Sequence, residues 1–211
     1  MHKSQRDVEV IHKTAEYAGF LKVLKFQVRH RLYNGEMSHT ITRELVERGQ
    51  AVAVLLYDPH ADAVVLIEQF RIGALRDPDS AWLLEVIAGM VKKGESLTDV
   101  ARRECREESG CYPTSLHYIG RYYLTPGGSS EQIHLFYAEV DSTGMHGTLA
   151  GVEGEAEDIQ VQVVPWAEVV TLMDSGRIVN ATAMLALQWL RLRKCGEGGG
   201  GKSIMTKRDQ Q

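Results

Sequence analysis

Cysteine is scarce in this sequence. Cys105, Cys111 and Cys195 are an odd number and form no C-x-x-C pair, so neither a disulfide framework nor a thiolate zinc site is indicated, and a reducing cytoplasm suits the chain. An excess of one charge is lacking too. Lys plus Arg number 24 against 28 Asp plus Glu, a net of −4 with pI near 6.1, which excludes the dominant basic field of a nucleic-acid binder. Long apolar runs are missing: the first residues, MHKSQRDVEVIHK, are charged throughout, and Ile178 to Leu190 is broken by Asn180, Thr182 and Gln188. Neither a leader nor a contact with membrane is expected. There is no internal repeat. Residues 196–211, GEGGGGKSIMTKRDQQ, are of low complexity and are expected to form a flexible tail.

What is present is the composition of a globular protein. With 211 residues, 44% hydrophobic and 25% charged, the chain can bury a core, and its length suits one domain carrying a smaller appendage. LKVLKFQVRHRL (21–32) alternates apolar with basic residues, Asn34-Gly35 gives a hairpin-turn signal, and SHTITRELV returns. Residues 1–47 therefore read as a small antiparallel unit. From Gly49 onward the strand-like runs AVAVLLYD, VVLIEQFRI, WLLEVIAG, HYIGRYYL, EQIHLFYAEV and IQVQVVP follow, with helices expected at about 97–109 and 181–194. Ser96 with Asp99 three residues on is a capping-box arrangement, and Gly110 closes the helix. Strands mixed with two helices argue for a layered α/β domain over 48–195.

The first helix carries charge where it should carry none. Advancing about 100° per residue from Leu97 puts Val100 near 300°, Ala101 near 40°, Glu104 near 340° and Glu108 near 20°. Two carboxylates thus interrupt the apolar stripe, one turn apart, and buried carboxylates need a cation. A hard divalent ion such as Mg²⁺ is the compensator that oxygen ligands favour. Arg103 and Glu107, on the adjoining flank, are spaced to pair, with Glu107 also able to reach a second ion. RRECREE alone is more often the pattern of a solvated helix face laced with ion pairs than of a metal site. The wider spacing decides: Gly89, Glu95, Arg103, Glu104, Glu107, Glu108 and Gly110 give G-x5-E-x7-R-E-x-x-E-E-x-G. Seven such positions, each with a background of about 6 to 7%, recur by chance about once in ~10⁶ chains.

That pattern resembles the Nudix box, the metal-binding loop-helix-loop of the Nudix hydrolases. Thr125-Pro126-Gly127-Gly128-Ser129-Ser130-Glu131, about 15 residues beyond it, resembles the substrate loop of the bacterial ADP-ribose pyrophosphatase subfamily. Similarity to that subfamily also takes in RHRLYNGEMSH, TRELVERG, VVLIEQFRI, GEAEDIQV and NATAMLALQWL, and so spans residues 7 to 194. The resemblance implies an α/β/α sandwich with a mixed sheet. It implies two or three Mg²⁺ ions, or Mn²⁺, held by Glu104, Glu108, Glu157 and the Ala88 carbonyl, with Glu155 as general base and Arg103 and Glu107 in the catalytic helix. It also implies substrate contacts from Arg43, Glu44, Arg48, Arg71, Met90, Thr125, Gly127 and Glu131. Phe20 and Leu21 would come from the partner subunit of a homodimer with exchanged N-terminal segments.

Each assignment has a plainer counterpart. Glu153, Glu155, Glu157 and Asp158 could be a solvated acidic loop. TPGG could be a connecting turn in which Pro sets φ and Gly permits positive φ, which is compatible with a substrate loop. The three arginines could be surface charges, although guanidinium suits phosphate and can stack on a base. Cys105 and Cys111 stand where the family has aliphatic residues and are read as small core hydrophobes, not nucleophiles. The implied activity is hydrolysis of ADP-ribose to AMP and ribose 5-phosphate. The alternatives are another nucleoside diphosphate sugar, such as GDP-mannose, or a module that senses ADP-ribose without cleaving it.

Overall fold

The computed structural model describes residues 3–152, 154 and 157–197. At the N-terminus β1 (Val8–Ala18), β2 (Lys22–His30) and β3 (Ile41–Glu47) form an antiparallel sheet in that order. β1 adds a strand to the expected hairpin; nearly all its side chains are exposed, so it lacks the one-sided apolar pattern of a half-buried strand. The turn is also longer than expected. Leu32 N donates to Glu36 O (2.7 Å), Arg31 bridges Met37, and of Asn34 and Gly35 only the glycine has positive φ, 93°. A two-residue type I′ turn needs both. Asn34 serves through its side chain, whose Oδ1 accepts from Glu36 N (3.0 Å).

The remaining elements are β4 (Gln50–Asp58), β5 (Ala63–Phe70), β6 (Trp82–Glu85), β7 (Ile87–Met90), α1 (Leu97–Ser109), β8 (His117–Tyr123), β9 (Gln132–Glu139), β10 (Leu149–Ala150), β11 (Ile159–Pro165), α2 (Trp166–Asp174) and α3 (Ala181–Glu197). The eight strands form one mixed sheet: six follow the order β10-β11-β5-β4-β9-β8, in which β4 and β9 run parallel, and β6 and β7 pair off this path with β5 and β4. WLLEVIAG is two strands, not the single one expected. β4 and β5 pair only from Leu56↔Val65 to Asp58↔Ala63 and then diverge, so β6 follows β5 while β7 crosses to β4, with buried Val86 at the step.

The period of two along β4 separates two cores. Ala51, Ala53, Leu55 and Tyr57 meet Val169 and Met173 of α2 and Ala183, Leu187 and Leu190 of α3, whereas Val52, Val54 and Leu56 meet Val100, Ala101 and Cys105 of α1. This is the expected α/β/α sandwich, and each fully buried Val or Leu contributes about 1.5–3 kcal/mol to it. Helix α2 is an addition to the two helices expected; it starts directly after Pro165 and buries Val169 and Met173, one turn apart. α3 continues past the expected end at Lys194 to Glu197, and the rest of the Gly-rich segment, 198–211, lies outside the described residues. No described helix is long and apolar enough to cross a membrane.

Candidate active site

Helix α1 starts where Ser96 Oγ accepts from Asp99 N (3.2 Å). Only half of the capping box forms, because the Asp99 carboxylate takes the Ser96 hydroxyl (2.6 Å). Gly110, φ 68°, closes the helix. Glu104 and Glu108 lie among its buried residues at 8% and 4% exposure, as the helical spacing requires. Burial pushes the Glu104 carboxyl up to about 7 against the pull of Arg103. Burial likewise pushes Glu108 up to about 8, although its Oε2 accepts from Ala88 N (2.9 Å). In both groups the nearby Glu157 charge pushes the same way.

Arg103 gathers the acidic flank. Its Nη1 lies 2.7 Å from Glu104 Oε1 and 3.0 Å from Glu107 Oε2, its Nε 3.5 Å from Glu95 Oε1, and its Nη2 donates to Met90 O (3.4 Å). The pair with Glu107 is the one the i,i+4 spacing predicts; Glu104 is the next residue on the same helix, and the contacts with Glu95 and Met90 reach outside it. Glu95 also accepts from Lys92 N (2.8 Å), which folds the loop between β7 and α1 onto the helix. Opposite, Gly89 leaves the space the Glu104 side chain fills: a Cβ there would overlap Glu104 Cγ, Cδ and Oε1.

The acidic loop is tied to α1 by Gly151 N, which donates to Glu107 O (3.0 Å), and Val152 N lies 3.3 Å from Glu157 Oε2. Glu155, the expected base, and its neighbour Glu153 lie outside the described residues. Arg71, at the end of β5, grips Glu85 with Nη2 (2.6 Å) and Nε (3.1 Å). Burial opposes the Arg71 charge, but Glu85, Glu108 and Glu157 outweigh it and raise the pKa. Glu85 and its second partner Asn180 are absent from the sequence-derived site.

On the other side, the loop between β8 and β9 docks on the N-terminal sheet. Val46 bridges Ser129, Arg48 N donates to Ser130 Oγ (3.0 Å), and Arg48 Nε lies 3.5 Å from Glu131 Oε1. Thr125 O accepts from Gly128 N and Ser129 N. Neither Gly127 nor Gly128 has positive φ, so the glycines do not serve the turn in the way expected; a Cβ on either would meet nothing within 4 Å. Phe20, 96% exposed, brings its ring 5.9 Å from Arg48 Cζ of the same chain, and Leu21 is exposed beside it. Arg43 and Glu44 lie exposed on β3, where Arg43 Nη1 donates to Thr42 O (2.8 Å). Cys105 and Cys111 are buried, and burial pushes both thiols up, as expected of core residues.

The matched region of a family model places the chain: the NUDIX domain covers residues 47–185. This chain belongs to the Nudix family. Within that family it is similar to proteins named ADP-ribose pyrophosphatase. One from Escherichia coli (strain K12) is 44% identical over 188 residues, 89% of this chain and 90% of that protein. One from Haemophilus influenzae is 45% identical over 194 residues, 90% of this chain and 89% of that protein. A GDP-mannose pyrophosphatase of Cronobacter sakazakii is 37% identical over 153 residues, 72% of this chain and 78% of its own length. A crystal structure described as an ADP compounds hydrolase shares the fold of this Nudix protein, with TM-score 0.69 at 20% identity over 93% of this chain and 99% of that one.

Proposed function

We propose that this Nudix protein is a Mg²⁺-dependent ADP-ribose pyrophosphatase that yields AMP and ribose 5-phosphate. The observation that carries the reading is the buried pair Glu104 and Glu108 on the box helix, in a chain whose similarity to ADP-ribose pyrophosphatases runs nearly end to end. The residues fit a divalent ion: two carboxylates are held from water with their pKa values pushed up, and neither Arg103 beside Glu104 nor the Ala88 amide on Glu108 offsets that burial. Ala88 through its carbonyl, Glu104, Glu108 and Glu157 would hold Mg²⁺ or Mn²⁺. Two or three bound ions would neutralise the diphosphate and lower the pKa of the attacking water.

The protein's own groups do the rest. Arg103 fixes Glu95, Glu104 and Glu107 in place, Arg71 and Met90 line the diphosphate end, and Arg48, with Phe20 and Leu21 contributed by the partner subunit, faces a base beside Thr125, Gly127 and Glu131. Arg43 and Glu44 complete the substrate contacts from β3. Glu155 accepts the proton of the attacking water, so Glu155→Gln is expected to lower kcat by roughly 10²–10⁴ with a smaller change in KM. An unchanged kcat in steady-state assays would move that role to Glu153 or elsewhere.

Residues 1–47 serve as a dimerising unit and 48–195 as the hydrolase. The support is exposure: Leu24 is the one buried side chain of β1–β3, while Val8, Val10, Ile11, Tyr17, Phe20 and Leu21 are open. A sheet with so little core needs a second copy to cover it, by exchange of N-terminal segments. Light scattering is expected to give twice the chain mass; a monomer at working concentration removes the reading. A small nucleotide sugar, neither nucleic acid nor membrane, is the partner, and a cytoplasmic enzyme fits the three unpaired thiols.

The deciding assay mixes protein, ADP-ribose and Mg²⁺, with a chelator control and GDP-mannose in parallel. Chelator-sensitive AMP and ribose 5-phosphate are expected. Faster turnover of GDP-mannose favours the second substrate, and binding without cleavage makes the chain a sensing module.

A further inference from the structure

Glu85 ends β6 and is 4% exposed. A carboxylate so placed stays charged only with several donors around it. Three side chains supply them. Arg71 gives Nη2 (2.6 Å to Oε2) and Nε (3.1 Å to both oxygens), Asn180 Nδ2 lies 2.9 Å from Oε1, and Gln69 Nε2 lies 3.4 Å from Oε2. The Asn180 amide is fixed in orientation, because its Oδ1 accepts from Ala183 N (2.9 Å) in the first turn of α3 and so turns the NH₂ group to Glu85. Elements from the sheet and from the helix layer opposite α1 therefore converge on one buried carboxylate.

The consequence falls on Arg71. One edge of its guanidinium, Nε and Nη2, is held by Glu85, while among the described residues Nη1 meets no acceptor. The side chain keeps 44% of its surface open and lies within the field of Glu108 and Glu157. A guanidinium pinned along one edge presents the other edge in a fixed plane, which is the geometry that grips a phosphate oxygen.

We propose that Glu85 is a positioning residue that, with Asn180, orients Arg71 to hold the diphosphate of the substrate. The proposal rests on the nucleotide-sugar reading above. A purely structural ion pair would lower the melting temperature on mutation without touching substrate affinity through Arg71.

The test is a double-mutant cycle with Glu85→Gln and Arg71→Lys, reading KM and kcat for ADP-ribose. Glu85→Gln keeps the volume but turns an amide toward Arg71; KM is expected to rise about tenfold while kcat changes less than about threefold. In the Arg71→Lys background the same change is expected to move KM less than about twofold. Equal losses in both backgrounds, or an unchanged KM with only a lower melting temperature, overturn the proposal. Asn180→Ala, which leaves the Glu85 charge in place, runs the same cycle if Glu85→Gln fails to fold. If the wild type does not cleave ADP-ribose, the substrate reading falls by itself, and the cycle read as the Kd for inorganic pyrophosphate still decides the role of Glu85.

Discussion

Glu108→Gln is expected to remove most hydrolysis while leaving the metal-free fold at least as stable as the wild type. The glutamine keeps the volume and can still accept from Ala88 N, the bond Glu108 makes at 2.9 Å, but it cannot be a charged metal ligand. Metal catalysis of this type supplies several kcal/mol of transition-state stabilisation, so a fall in kcat of roughly 10³ is expected. The stability sign follows from burial, which pushes the folded carboxyl up to about 8 from the ordinary 4.5. Between those values the unfolded chain has released its proton while the folded chain retains it. Unfolding then releases protons, and the wild type loses stability as pH rises from about 4.5 to 8. The glutamine carries no such dependence, so in chelator the variant should melt higher than the wild type by a margin that widens from pH 5 to 8. Scanning fluorimetry across that range, with an assay at saturating Mg²⁺, checks both halves. Activity within tenfold of the wild type would remove Glu108 from the metal set, and a margin that narrows with pH would contradict the burial argument.

Gly89→Ala should damage the same site from the opposite wall. Its Cβ would fall on Glu104 Cγ, Cδ and Oε1. Neither wall can retreat: Gly89 is in register with Val52 inside the sheet, and α1 is packed on the core through Val100, Ala101 and Cys105. The Glu104 carboxylate must therefore swing away, breaking its 2.7 Å contact with Arg103. Overpacking of this kind costs about 1–3 kcal/mol, and displacing a catalytic group by about 1 Å costs about 10² in rate. Denaturant melts and kcat should show both losses, whereas Gly120→Ala, where a Cβ meets nothing within 4 Å, should leave both near wild type. A fully active Gly89→Ala enzyme would mean that Glu104 has room to spare.

The acids of α1 are legible in the sequence because the helix repeat places Glu104 and Glu108 on an apolar stripe, a conflict that only burial with a partner resolves. Arg103 with Glu107 follows from the same repeat. The layered fold is legible from the strand-like runs, and the sense of β4 is not, since its pairing with β9 is settled across some 80 residues. Glu85 escapes because a single Glu inside WLLEVIAG carries no sign of what it meets; its partners Arg71 and Asn180 come from 14 residues before and 95 after. β1 escapes because an exposed strand has no apolar period. α2 escapes for a different reason: its signal, Pro165 followed by Val169 and Met173 at i,i+4, spans only nine residues.

The step at Val86 fixes a length. Glu85, which grips Arg71, and Ala88, whose amide grips Glu108, stand on different strands but are only three steps apart along the covalent chain. Extended backbone advances at most about 3.3–3.6 Å per residue, so these two anchors can never lie more than about 11 Å apart. Side chains can swing and helices can loosen with heat, yet that upper bound is set by bonds that do not stretch. The two grips thus share a gauge block, and no breathing of the surrounding layers can draw their anchors beyond it.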